Sequence, residues 1–269
     1  MRIKLVVSYD GTDFCGWAPQ PGYRTVQGTL KEAVRQVSGE DVEILGASRT
    51  DSGAHAKGQV CHFDCSKPVP AVKWASILNR LLPWDASVVS SEEAPADFHS
   101  RFSAKDRFYR YRLLIGEPDP FRSRFTCRYH SPLDLEAMDR AGKSLLGSHD
   151  FRAFTEELDP LVLNTERTLF RFDVKPSRDE VWVDVVGTAF LRGMMRRMAG
   201  ALLEVGRGIR PVEEVSRLLD IEKRNTIQWP VVLPSAGLCL MAVRYGRHPQ
   251  DNRSASNNDR FRIHPEQDG

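Results

Sequence analysis

Between Gly46 and Phe63 the chain reads GASRTDSGAHAKGQVCHF, a polar stretch punctuated by glycine, carrying Arg49, Thr50, Asp51 and His55, with an apolar run on each side. Val42 to Ala47 and Gln59 to Asp64 have the content of short strands, so Ser48 to Gly58 is expected as the loop joining them. A polar loop held between rigid strands is a common setting for reactive side chains. Arg49 stands two residues ahead of Asp51, and Ser52-Gly53 behind it lets the backbone turn sharply and leaves the carboxylate at the tip. Turn chemistry alone also selects Asp, Ser and Gly, so an Asx-turn at Asp51 and a solvating Arg49 account for the same letters.

The rest of the chain supplies a mixed set of elements around this loop. Arg2 to Tyr9 alternates with Ile3, Leu5, Val7 and Tyr9 on one face and ends at the turn signal Asp10-Gly11. Thr25 to Ser38 repeats Val26, Leu30, Ala33, Val34 and Val37 at helical spacing before Gly39. A second helix is expected between Pro68 and Leu82, a strand over Ala86 to Ser90, and a linker over the acidic Ser91 to Asp97. Asp97 to Ile115 reads as a loop feeding a strand. Leu133 to Leu146 reads as a helix, GSHDFRAF (147–154) as a turn, and Arg167 to Val174 and Val181 to Val186 as strands. Phe190 to Gly206 is predicted helical with Arg192 and Arg196 on one face, four residues apart. Pro211 opens a short helix, and Gly237 to Tyr245 is the closing strand.

Two blocks hold the basic charge. Arg101 to His130 has eight Lys/Arg against three Asp/Glu, and Phe190 to Arg210 has five Arg against Glu204, while the whole chain carries only +2. A polyanion-binding face requires such concentration, though two solvated faces produce it as well. In FHSRFSAKDRFYRYR (98–112) aromatics interleave with cations, a pattern that suits stacking on unpaired bases and contact with phosphates; a half-buried strand with exposed arginines looks similar. The five cysteines are an odd number without a Cys-x-x-Cys, and Cys61 and Cys65 on a strand would stand about 13 Å apart at roughly 3.3 Å per residue. Neither a disulfide framework nor a metal site is expected. The start of the chain lacks the apolar stretch of a secretory signal and no apolar run reaches spanning length, so a cytoplasmic protein without membrane contact is expected.

GASRTDSGAHAKGQVCHF resembles the signature of the TruA family of tRNA pseudouridine synthases. YDGTDFCGW with TVQGTL, FHSRFSAKDRFYRYR, GSHDFRAF, FLRGMMRR and GLCLMAVRY resemble further family motifs in their expected order, over about residues 1 to 246. Ala18 stands where family members usually carry Gln. The resemblance implies an α+β fold in which two ferredoxin-like, RRM-like halves join into one long mixed, mainly antiparallel sheet. Residues 1–103 would be an N-terminal domain with the catalytic loop, 104–246 a C-terminal domain, and 247–269 a polar, mobile tail. It also implies isomerisation of uridine to pseudouridine at positions 38 to 40 of the tRNA anticodon stem-loop, by a homodimer that uses no cofactor. Asp51 would be the nucleophile, Arg196 its ionic partner, Tyr109 the ring packed on the uracil, and Arg49 the side chain filling the space of the flipped base. Arg101, Lys105, Arg107, Arg110 and Arg192 would contact phosphates. A non-catalytic RNA-binding protein does not need a carboxylate facing a polyanion. A hydrolase using Asp51 and His55 lacks metal ligands at usable spacing.

Overall fold

Alternation with period two lays down the first strand, β1 (Arg2–Tyr9), which buries Ile3, Leu5, Val7 and Tyr9 on one face and leaves Arg2, Lys4, Val6 and Ser8 half-buried on the other. The structure, a computed structural model, describes residues 1–155 and 164–246; the polar tail expected at 247–269 lies outside the described residues. Helix α1 (Val26–Ser38) starts where the Thr25 hydroxyl accepts the Gly28 amide proton at 3.3 Å, and stops at Gly39 in the left-handed region. The other elements are β2 (Leu45–Gly46), β3 (His55–Asp64), α2 (Trp74–Leu78), β4 (Ala86–Ala94), β5 (Asp106–Ile115) and β6 (Cys127–Tyr129). They are followed by α3 (Leu135–Lys143), β7 (Gly147–Asp150), β8 (Glu166–Ser177), β9 (Glu180–Gly187), α4 (Met194–Gly206), α5 (Val212–Arg217) and β10 (Leu238–Arg244).

Ten strands form one mainly antiparallel sheet in the order β4-β1-β3-β10-β5-β9-β8-β7, with β2 beside β3 and β6 beside β5. The last strand is therefore central. It runs antiparallel to β5 and joins β3 in parallel through Cys239 opposite His55 and Leu240 opposite Ala56. Gly58 permits this seam, because a Cβ there would lie 2.6 Å from the Met241 carbonyl oxygen. The apolar side chains of α1, α3 and α4 share one core with Ile3, Leu5 and Val7, with Tyr109, Tyr111 and Leu113 of β5, and with Val181, Val183 and Val185 of β9. The core thus lies on one face of the sheet.

Several elements depart from the sequence reading for identifiable reasons. The acidic Ser91 to Asp97 segment is strand as far as Ala94, since Glu92 lies opposite Lys4 and bonds its ammonium at 2.7 Å. GSHD forms β7 against β8 rather than a turn. The expected helix over 68–82 shortens to α2 after a 3₁₀ turn at Ala71–Lys73, because Val72 and Leu81 of its supposed apolar stripe face solvent. Helix α4 starts at Met194, behind Gly193 at φ 70°, so Arg192 precedes the helix and does not share a helical face with Arg196. The strand expected at 42–47 is only Leu45–Gly46, and β3 begins at His55, which narrows the central loop to 47–54.

One buried histidine ties the base of that loop to the segment leading into β5. The Nδ1 atom of His62 accepts the Ser100 amide proton at 3.2 Å, and the Ser100 hydroxyl donates to the Leu45 carbonyl at 2.6 Å. Burial, aided by the charges of Arg2 and His99, holds the His62 pKa down to about 4, against an ordinary value of 6.5. The unfolded chain therefore binds a proton that the folded chain refuses, and the stability contributed by neutral His62 is present above about pH 6.5 and lost as pH falls toward 4. Urea unfolding should show stability falling from pH 7 to pH 5, and His62→Gln should flatten that fall. Identical pH slopes in the two proteins would remove His62 from this role.

Candidate active site

The loop of residues 47–54 is held by bonds to its backbone and hydroxyls from several directions. From β3, the buried Gln59 accepts the Ser48 amide proton at 3.2 Å and donates to the Ser48 carbonyl at 2.6 Å, clasping one residue on both sides. From β1, the Tyr9 hydroxyl meets Thr50 Oγ1 at 2.8 Å, and from β5 the Tyr109 hydroxyl meets Ser48 Oγ at 2.6 Å. Arg107 donates from Nη2 to the Ala47 carbonyl at 3.1 Å and the Arg101 carbonyl at 2.8 Å, and from Nη1 to the Thr188 carbonyl at 2.6 Å. The loop after β1 closes the other side, with the Trp17 amide donating to the Thr50 carbonyl at 3.1 Å and the Gly53 amide to the Phe14 carbonyl at 3.2 Å. Gly16 is required at that approach: its φ is 79°, and a Cβ there would stand 2.8 Å from the Thr50 oxygen.

Asp51 occupies the tip of this clamped loop. Its Oδ2 lies 3.4 Å from Nη1 of Arg196, whose Nε donates to the Leu233 carbonyl at 2.6 Å and so aims the guanidinium. Both side chains are about one-fifth exposed, at 19% and 18%, so the pair is partly desolvated yet open to a ligand.

The pair faces a cleft of about 1530 Å³. Tyr109 and Leu238 come to it from the sheet, Arg49 from the loop, and Phe190 to Arg196 from the approach to α4. Arg49, expected to fill the space of a flipped base, and Arg101 and Arg192, expected to contact phosphates, are exposed within it. Ala18, the departure from the family pattern, also lines it. The structure does not bring the other basic residues there in the same way. Arg107 is 6% exposed and holds carbonyl groups of the frame. Arg110 lies on the opposite face of β5 from Tyr109, as period two demands, in a 2.7 Å pair with Asp184 and 3.7 Å from the Trp182 ring. Lys105 is exposed but outside the cleft lining. Tyr109 is only 5% exposed, packed edge-on to Phe190 with ring centres 4.9 Å apart, and burial pushes its phenol up to about 12, so it stays protonated at neutral pH.

A family profile described as tRNA pseudouridine synthase matches residues 5–103 and 141–246. The chain belongs to the tRNA pseudouridine synthase family. Among similar proteins, tRNA pseudouridine synthase A of Maridesulfovibrio salexigens is 40% identical, over 91% of this chain and 90% of its own length. The protein of that name from Syntrophotalea carbinolica is 40% identical over 93% and 97%, and that from Halalkalibacterium halodurans 42% identical over 83% and 86%. The synthase is accordingly an isomerase that acts on tRNA.

His55 has a structural position in this synthase. Its Nδ1 accepts the Gly11 amide proton at 3.0 Å, and its Nε2 faces the Ala236 carbonyl at 3.2 Å, which requires the proton on Nε2. Burial lowers its pKa, in keeping with the neutral ring. With both nitrogens engaged by backbone, the Asp51/His55 acid-base pair of the hydrolase reading does not form. Among the described residues, no three His, Cys, Asp or Glu side chains converge as metal ligands, and no helix is long and apolar enough to cross a membrane.

Sequence reasoning missed Gln59, Tyr9 and Arg167. The available signal for Gln59 was its place opposite Val7 on the inward face of β3, a polar residue where the alternation calls for an apolar one. Replacing it with leucine leaves the Ser48 amide and carbonyl without their partner and frees the loop that carries Asp51. Since a displacement of about 1 Å at a reacting group costs about 100-fold in rate, Gln59→Leu should lower single-turnover pseudouridine formation by about that factor while tRNA affinity changes little. A wild-type rate in Gln59→Leu would show that the clasp does not position Asp51.

Proposed function

We propose that the synthase converts uridine to pseudouridine at positions 38 to 40 of the tRNA anticodon stem-loop, with Asp51 as the nucleophile. The observation that carries this reading is Asp51 itself: a carboxylate at the tip of a clamped loop, paired with Arg196, facing a cleft whose exposed side chains include Arg49, Arg101 and Arg192. A carboxylate aimed into a cationic cleft has little use in RNA binding alone, because it repels phosphate.

The reaction breaks the N1–C1′ bond, turns the uracil, and forms a C5–C1′ bond, with the C5 proton lost and N1 protonated. Reactant and product have the same composition, so neither a cofactor nor a second substrate is needed. Asp51 supplies the nucleophile, whether it adds to the uracil ring or captures C1′. A paired base must leave the stack first, and Arg49 fills the space behind it while Tyr109 supports the uracil. Arg196 holds the Asp51 carboxylate in orientation, and Arg101 and Arg192 take phosphates. In this reading the enzyme is a cytoplasmic homodimer whose two subunits cradle one tRNA.

Asp51→Asn keeps the size and turn-forming ability of the side chain while removing its nucleophilicity. The purified variant should form no pseudouridine under multiple turnover, and should bind tRNA at least as tightly as the wild type, because a negative charge near phosphates is gone. Multiple turnovers by Asp51→Asn would remove this residue from the chemistry.

A further inference from the structure

The segment preceding β5 carries a second aromatic ring that the reaction does not use. Phe102 is 76% exposed and lines the same cleft as Asp51. Large apolar side chains this open need no comment when scattered, but here the backbone is fixed to present one. The Nδ1 atom of His99 accepts the amide protons of both Arg101 and Phe102, at 3.1 and 3.2 Å. The Ser103 amide donates to the His99 carbonyl at 2.9 Å, its hydroxyl accepts the His99 amide proton at 3.0 Å, and Arg107 grips the Arg101 carbonyl. The Phe102 ring leans on the His99 ring, centres 4.4 Å apart at 39°, with the Arg101 guanidinium 5.6 Å from its centre. One side of the ring is thus braced by the protein.

Two cations stand beside it. Among the described residues neither Arg101 nor Arg167 has a carboxylate partner, although both line the cleft. Arg167 spends Nη1 on the Asn164 and Glu166 carbonyls, while its buried Nε has no hydrogen-bond partner among the described residues. Its pKa is lowered first by burial and then by the charge of Arg101. Two guanidiniums that repel each other across a cleft wall, one of them with an unsatisfied donor, are arranged for an anion to settle between them.

We propose that Phe102, Arg101 and Arg167 form a nucleotide subsite separate from the uracil pocket, where an unpaired base of the tRNA stacks on Phe102 and its phosphate is held by the two arginines. A ring flanked by cations accepts any base, since each base has a π-face, so this subsite anchors the RNA strand beside the target nucleotide rather than reading sequence. The inference rests on tRNA being the substrate and deepens that reading.

The test uses the full chain with tRNAs that carry 2-aminopurine, one per molecule, at each unpaired position near the target uridine. Fluorescence of one of these should be quenched on binding to the wild type. Phe102→Ala should abolish that quenching and raise Kd about 10-fold at fixed salt, and Phe102→Trp should restore both. Arg167→Gln should reduce the slope of log affinity against log salt by about one. Phe102 is exposed, so a melting temperature equal to the wild type will accompany these effects. Wild-type Kd and quenching in Phe102→Ala, with a wild type that modifies the tRNA, would overturn the subsite and leave the functional reading standing. A wild type that leaves tRNA unmodified would overturn that reading and the subsite with it.

Discussion

A single buried amide carries much of the structure's function. Gln59 holds the Ser48 peptide from both sides, and from Ser48 the chain runs through Arg49 and Thr50 to Asp51. A loop usually sits over a protein with its backbone solvated and its tip free to move. Here the bonds from Gln59, Tyr9, Arg107 and Tyr109 replace water along the first half of the loop, and the Phe14 and Trp17 backbone closes the second half. Each such bond contributes only about 1 kcal/mol net, but breaking one leaves a buried polar group unpaired, which costs about 1–3 kcal/mol. The loop therefore behaves as part of the sheet, and Asp51 reaches the cleft in one orientation.

The sheet's architecture puts this loop where two helix-covered regions meet. β10 enters the sheet last and joins β3 to β5, so the loop that precedes β3 and the approach to α4 face each other across Tyr109 and Leu238. Period-two alternation along β5 then separates two sets of residues. Tyr109 and Arg107 point to the loop and the cleft, whereas Arg110 and Arg112 point away and pair with Asp184 and Glu180. Basic residues adjacent in sequence thus have different tasks, and only part of the positive block is available to a polyanion.

This separation explains what was legible in the sequence. β1, α1 and the central strand of FYRYRLLI were readable because alternation, helical apolar spacing and a glycine stop are local signals. The loop with Asp51 at its tip was readable from turn residues between apolar runs, and the Asp51–Arg196 pairing implied by the family resemblance is present at 3.4 Å. Arg110 falls in one basic block with Arg107 and Lys105 in the sequence, because charge counts ignore which face a strand residue occupies. The apolar spacing of FLRGMMRR predicts Arg192 on a helix, whereas Gly193 in the left-handed region delays the helix by one turn. Gln59 and the structural task of His55 escaped because both depend on distant partners, Ser48 across the strand pair and Ala236 near the end of the chain, which no local pattern announces.

In the proposed reaction this frame delivers one carboxylate to a uridine flipped from the anticodon arm. Unmodified tRNA transcripts incubated with the purified enzyme, then mapped for pseudouridine at single-nucleotide resolution, address it most directly. Pseudouridine is expected at one or more of positions 38 to 40 and nowhere else in the tRNA. Pseudouridine confined to another arm, or none at all from a folded enzyme that binds the tRNA, would contradict it.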